Sequence, residues 1–198
     1  MENKYGTFVQ LITSTPEAEE LIERAGRTCA NSVVDMYVGD ELKDPNWIQK
    51  RVAQGHESIL EHGSATFRIF CSRAVTHELV RHRIASYSQR SQRYAKEDGC
   101  KFFTPPEFAG DSEYEGLITE LYSYYYKKVQ GGMKPEIARY VLPNAWRTEI
   151  YATMNFRELR HFIKLRASPR ALPEMQEVAN QVKGICVEVW PRVFGDLK

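Results

Sequence analysis

Ser64-Ala65-Thr66-Phe67-Arg68-Ile69-Phe70 alternates along its length. Ala65, Phe67 and Ile69 point one way and Thr66 and Arg68 the other, the period of a half-buried strand. Ala145 to Thr153 alternates in the same manner, and Tyr5 to Thr13 has strand composition. Around these lie helix signals. Thr15 stands where it would cap a helix opened by Pro16, with Ala18, Leu21, Ile22 and Ala25 as its apolar stripe. Asp44 and Pro45 open a second helix that Gly55 would close, and a third runs from Ser72 to about Arg83. Asp111 to Gln130 reads as a long helix with Leu117, Leu121 and Tyr124 inward, followed by a short one after Pro135 that must stop by Pro143. Asn155 caps the next, with Glu158 in the reciprocal capping-box position. The last opens near Pro173 and stops before Pro191, with Met175, Val178, Val182, Ile185 and Val189 at helical spacing. Strands and helices do not alternate regularly. The expectation is an α+β fold, helices packed on a mostly antiparallel twisted sheet, with residues 1–198 forming a single domain.

Composition removes several function classes. Of the 198 residues 42% are hydrophobic and 27% charged, which excludes a disordered chain, a collagen-like fibre and a coiled coil. Lys plus Arg number 27 against 26 for Asp plus Glu, so this is not a surface built to coat nucleic acid. The longest run free of charge or His, Tyr5 to Pro16, is twelve residues, whereas a membrane helix needs about 20. No basic segment leads into an apolar core at the N-terminus, so no signal peptide is expected. Cys29, Cys71, Cys100 and Cys186 form no C-x-x-C, and none stands beside an activating His. Reduced, mostly buried thiols in a cytoplasmic protein are expected.

The charge is unevenly spread. Arg68 to Arg93 holds six arginines, no lysine and one carboxylate, Glu78. That stretch carries +5 in a chain of net +1, leaving −4 elsewhere. Guanidinium groups match phosphate or carboxylate oxygens with two parallel hydrogen bonds, whereas lysine acts as a point charge. In the densest part, Arg81 to Tyr94, Ser, Gln and Tyr separate the arginines, and no new apolar periodicity follows. An ordered loop gripping a polyanionic small molecule is the expected structure, against the simpler alternative of a solvated basic face.

A second anion-facing candidate is the helix Asn155 to Arg166. Leu159, Phe162, Ile163 and Arg166 share one stripe, so Arg166 occupies a core-facing position in the last turn. An inward guanidinium requires an anionic or carbonyl partner, because an unpaired buried charge is very costly. The helix's own end carbonyls could supply it. Arg157 and His161, four apart, share the opposite face. A helix with polar work on both sides suggests that one side meets another subunit.

Other signals fail. His77-Glu78-Leu79-Val80-Arg81-His82 puts its histidines five apart, about 140° around a helix, so they cannot share a metal as an i, i+4 pair does. His56 and His62 are six apart and face differently as well; no metal site is expected. There is no G-x-G, hence neither a Rossmann fingerprint nor a P-loop, and no G-x-S-x-G.

Arg81-His82-Arg83 followed after seven residues by Ser91 resembles the R-H-R-x7-S signature of the flavin-dependent thymidylate synthases. The likeness extends to His56-x-Ser58, Glu78-Leu79-Val80, Ser86, Arg93-Tyr94, Ala138-Arg139-x-Val141-Leu142-Pro143, Asn155-x-Arg157 and Leu165-Arg166. It runs from about Ile22 to Trp190. The resemblance implies reductive methylation of dUMP to dTMP, with FAD as cofactor, methylenetetrahydrofolate as carbon donor and NADPH as reductant. It also implies a homotetramer with active sites between subunits.

By that resemblance, His56, Ser58, Arg81, His82, Arg83, Ile84, Gln89, Asn155, Arg157 and His161 are the expected cofactor contacts. Glu78, Leu79, Val80, Arg81, Gln89, Arg90, Ser91, Gln92, Arg93, Arg139 and Arg166 are the expected dUMP contacts. Arg166 is the expected catalytic group, stabilising charge that develops at N3 and O2 of the uracil. Ser91, among arginines and without a base, is expected to bind phosphate rather than attack. Gln89 stands where many members carry Glu and Ser88 where many carry Asn, so Gln89 brings no charge. Two rival readings are a single-strand RNA-binding module using the Arg and Tyr side chains of 81–94, and an orphan flavoprotein of the same fold that does not methylate.

Overall fold

A computed structural model describes residues 3–29, 44–97, 99 and 101–197. Four strands, β1 (Phe8–Ser14), β2 (Ser64–Ser72), β3 (Ala85–Gln89) and β4 (Arg147–Asn155), form one sheet in the order β1-β2-β4-β3. All neighbours are antiparallel, with Phe67 opposite Ala152 and Ile69 opposite Ile150 at the centre. The alternation sorts the two faces. Ala65, Phe67, Ile69, Ile150, Ala152 and Met154 are buried in the core. On the other face Thr66 and Thr153 share a 2.9 Å hydroxyl contact, and Arg68 pairs with Glu149 at 2.5 Å.

Helices α1 (Ala18–Cys29), α2 (Trp47–Ala53), α3 (Arg73–Leu79), α6 (Phe156–Arg166), α7 (Pro173–Val189) and the short α8 (Pro191–Phe194) carry apolar side chains into that core. This is the α+β architecture expected. A second, smaller cluster forms where α4 (Ser112–Gln130) meets α5 (Pro135–Ala138) and the turn 139–141. No described helix is long and apolar enough to cross a membrane. Gly55, at φ 83°, closes the segment after α2 in the left-handed region where glycine has no steric penalty.

Several local expectations are corrected. The Thr15 hydroxyl accepts from the Ser64 backbone N–H at 3.0 Å, tying β1 to β2 rather than capping α1. The buried face of α1 is turned to include Glu19, Glu23 and Gly26, while Leu21 is exposed. Glu19 and Glu23 are the reason: Glu19 accepts from the Arg192 and Val193 backbone N–H groups, and Glu23 pairs with Arg27 and the Arg192 guanidinium. Helix α3 stops at Leu79 rather than Arg83, because the Tyr87 hydroxyl donates to the carbonyls of Leu79 and His82 and turns the chain back. The chain then enters β3, in the stretch expected to be a loop. A five-residue edge strand of Ala, Ser, Tyr, Ser and Gln carries too little apolar signal to read.

In α4 the inward residues are Ile118, Tyr125 and Val129, with Leu117 and Tyr124 about half exposed. The hydroxyls of Tyr122 and Tyr125 accept the backbone N–H groups of Gly99 and Glu97, and Tyr122 stacks on Trp146 at 5.5 Å. Those bonds set the helix's rotation. Cys71 and Cys186 are buried, and burial raises both thiol pKa values well above the ordinary range. Cys29 is exposed, so the described thiols are mostly buried, as expected, and Cys100 lies outside the described residues.

Gly26 is required by packing. A Cβ there would stand 2.4 Å from the Trp47 ring, which is itself buried and flanked by the Arg27 and Arg51 guanidinium groups. Gly26→Ala is expected to cost about 1–3 kcal/mol by overpacking. An unmoved urea midpoint would show that the indole swings aside freely.

Candidate active site

Asn155 ends β4 and starts α6. Its Oδ1 accepts the Glu158 backbone N–H at 2.8 Å, and the Phe156 N–H donates to the Gly63 carbonyl at 2.9 Å. The cap forms as expected, but the box does not: the Glu158 side chain turns to His82. From this start, Arg157 and His161 project on the exposed side of α6. Arg157 Nη1 is 2.6 Å from Glu61 Oε1, and its Nε is 3.8 Å from Glu57. A cleft of about 450 Å³ opens here, lined by Glu57, Glu61, Ile84, Asn155, Arg157, Glu158, Arg160, His161 and Lys164.

Four residues expected at the cofactor, Ile84, Asn155, Arg157 and His161, therefore border one cavity, although they come from two distant segments. Ser58, on the 57–62 turn that supplies Glu57 and Glu61, is exposed beside it, as is His56. Arg81 and Arg83 are exposed on the turn after α3, outside the lining. Gln89 is turned inward, its amide donating to the hydroxyls of Thr76 at 3.1 Å and Thr148 at 3.3 Å.

At the other end of α6, Arg166 is largely enclosed. Its Nη1 is 2.8 Å from Glu78 Oε2, its Nη2 donates to the Glu78 carbonyl at 3.2 Å, and its Nε donates to His82 Nε2 at 3.1 Å. The anionic and carbonyl partners required by its core-facing position both exist. Both come from Glu78 in α3, with His82 of the following turn adding a nitrogen acceptor, and not from the end of α6.

His82 is only 4% exposed, its ring edge against Phe162 at 5.2 Å. Guanidinium N–H groups only donate, so Nε2 accepts and the ring proton sits on Nδ1, 2.7 Å from Glu158 Oε1. Burial holds the His82 pKa below the usual 6.5, and Arg166 and His161 act in the same sense, with Glu158 opposing. His82, Glu158 and His161 bring their donor atoms within 4.8 Å of one another, a grouping the sequence did not reveal. With Nε2 engaged by Arg166 and Nδ1 by Glu158, His82 has no lone pair to offer a metal in this arrangement.

Of the arginines of the 81–94 stretch, Arg90 and Arg93 lie beyond β3. Arg93 Nη2 lies 3.3 Å from Glu136 Oε2, and Arg90 lies 3.6 Å from Glu97. Ser91 Oγ accepts the Arg93 backbone N–H at 3.1 Å. Gln92 is buried, with its Nε2 unpartnered among the described residues. Arg139, on the turn after α5, is near enough to Arg73 for its charge to lower the Arg73 pKa, which burial has already depressed. Leu79 is wholly buried, whereas Val80 is exposed.

Helix α3 joins the two groups. Arg73 begins it and Glu78 lies five residues on, about 8 Å along the axis. Arg139 is therefore associated with one end of α3 and Arg166 with the other, with Gln89 bonded between them at Thr76. Tyr87 is turned in by its hydroxyl, while Tyr94 is 80% exposed with the Arg93 guanidinium 5.2 Å from its ring centroid. A row of stacking platforms for single-stranded RNA is not formed by these two rings. Sequence reading missed Glu136, Glu97, Thr76 and Thr148 as partners. No spacing rule points to them, since each acts across a tertiary contact.

Comparison with known proteins bears on the same residues. A family model described as "Thymidylate synthase complementing protein" matches residues 10–192. A flavin-dependent thymidylate synthase of Geobacter sulfurreducens is 38% identical over 198 residues, an alignment covering 95% of this chain and 85% of the relative. The protein of that name from Clostridium tetani is 36% identical, covering 96% of this chain and 86% of the relative. The one from Pyrococcus furiosus is 47% identical over 134 residues, covering 63% and 55%.

Proposed function

This chain belongs to the flavin-dependent thymidylate synthase family, and on that premise we propose how its residues carry the reaction. It is a FAD-dependent methyltransferase that converts dUMP to dTMP. A methylene unit passes from methylenetetrahydrofolate to C5 of dUMP, and tetrahydrofolate leaves. The chemistry that FAD supplies when bound is hydride transfer, in from NADPH and out to the one-carbon unit.

The α6 cleft fits such a cofactor in its donor set. Arg157, His161 and Lys164 offer cationic or N–H groups to phosphate oxygens, and Ile84 offers an apolar wall. Glu57 and Glu61 now hold Arg157 and must yield it. Ser91, Arg90 and Arg93 take the dUMP phosphate, with Arg139 alongside and Glu136 released from Arg93. Arg166 faces the uracil and stabilises negative charge at N3 and O2, which makes C5 nucleophilic. The observation that carries this reading is the bonding of Arg166 to both Glu78 and His82. It supports a guanidinium held in one pose beside the R-H-R turn.

Residues 1–198 act as one domain, in a cytoplasmic homotetramer whose active sites lie between subunits. The exposed apolar side chains of Leu117, Ile137 and Tyr140 on α4, α5 and the turn after it support an interface there. Purified protein loaded with FAD should be yellow and should form dTMP and tetrahydrofolate from dUMP, methylenetetrahydrofolate and NADPH. Protein that takes up FAD yet forms no dTMP would favour the orphan flavoprotein; protein that stays colourless would contradict both readings.

A further inference from the structure

Glu158 is 7% exposed, and its carboxylate accepts the Nδ1 proton of an equally buried imidazole. A buried carboxylate is costly unless paired. In the capping box it would have reached back to the helix start; here it reaches across to the R-H-R turn instead. The chain of contacts is continuous: Glu158 Oε1 to His82 Nδ1 at 2.7 Å, His82 Nε2 to Arg166 Nε at 3.1 Å, and Arg166 Nη1 to Glu78 Oε2 at 2.8 Å. Each link fixes the next. An imidazole has one proton when neutral, so the partner at one nitrogen decides what the other can do.

We infer that Glu158 is a positioning residue, which keeps the His82 proton on Nδ1 so that Nε2 can accept from Arg166 and hold that guanidinium in its working pose. This rests on the role given to Arg166 above. If the proton sat on Nε2, two N–H groups would face each other and Arg166 would lose one of its three anchors. Protonation of His82 has the same effect. The groups facing its ring are Glu158, His161 and Arg166 on α6, with Glu78 on α3 behind Arg166 and the Tyr87 hydroxyl of β3 on its carbonyl. Acid should therefore cut turnover as His82 takes up its second proton. Glu158, the one negative group in direct contact with the ring among the described residues, sets where that happens.

The test is Glu158→Gln, which keeps size but can turn an amide N–H toward Nδ1. The variant should still bind FAD, and its KM for dUMP should stay within a few-fold of the parent. Its kcat should fall about 10- to 100-fold, the scale of loss when a carboxylate that orients a metal-bound imidazole is removed. The acid limb of kcat should also move to lower pH, because removing the adjacent negative charge disfavours protonated His82; a purely structural role would not move it. Parent and variant sharing kcat and acid limb would overturn the inference while leaving the enzyme's activity established. A parent that makes no dTMP would overturn the function and this inference together. Should the variant fail to fold, NMR of the parent with isotope-labelled histidine decides, the His82 signal being assigned by its loss in His82→Gln. A neutral ring protonated at Nδ1 is expected, and a ring protonated at Nε2 would refute the role given to Glu158.

Discussion

Replacing Arg166 by alanine is expected to leave a folded protein that still binds FAD but forms dTMP about 100- to 1000-fold more slowly in kcat, the usual loss of one preorganised donor at developing charge. Arg166 is suited to that work because it is anchored before substrate arrives. Glu78 contributes its carboxylate and its carbonyl, and His82 a neutral nitrogen, so little reorganisation is needed at the moment of reaction. Arg166→Lys should recover little of the loss. An ammonium restores the charge, but not the planar fork that meets Glu78 and His82 together. Steady-state kinetics with the flavin content measured in parallel checks this. Full turnover in the alanine variant would remove Arg166 from the chemistry, and loss of flavin in proportion to activity would show that its role is structural.

The largest expected effect on stability is at Phe156. Its ring is wholly buried, 4.7 Å from Trp190 and 5.3 Å from Phe194, and it lies so close to Gly63 that a Cβ there would be 2.7 Å away. Phe156→Ala opens a cavity where α6, the C-terminal helices and the end of the 57–62 turn meet. Such a truncation costs about 3–5 kcal/mol, a fall of the order of 10 °C in thermal midpoint for a chain of this size. Because Phe156 is the first residue of α6, the damage should reach function. Asn155 loses its fixed cap, and Arg157 and His161 lose their shared face, so FAD retention should fall with stability. A change under about 1 kcal/mol in chemical denaturation would mean that Trp190 and Phe194 close over the space.

What could be read in advance follows from what a linear pattern encodes. Strands β2 and β4 were legible because they sit at the sheet's centre with one covered face, which imposes strict alternation. Helix α7 was legible from its apolar spacing, and the inward place of Arg166 from the stripe it shares with Leu159, Phe162 and Ile163. Strand β3 was not legible. An edge strand need not be apolar, and its register depends on β4 and on the Tyr87 hydroxyl. The face of α4 was misjudged because tyrosine counts as apolar in a periodicity, whereas Tyr122 and Tyr125 are turned by their hydroxyls. Glu158 shows the limit most clearly. Its position three residues after Asn155 is a capping-box signal, yet His82, 76 positions earlier, offers the buried carboxylate a better partner. Local spacing proposes partners, and tertiary contact selects among them.

The central claim is that arginines from separate segments hold a uridylate against a flavin. It is tested most directly by titrating the FAD-loaded protein with dUMP and following the visible flavin spectrum. A saturable spectral change is predicted, with deoxyuridine, which lacks the phosphate, needing far higher concentration to produce it. A flavin spectrum that does not respond to dUMP at any concentration would contradict the account.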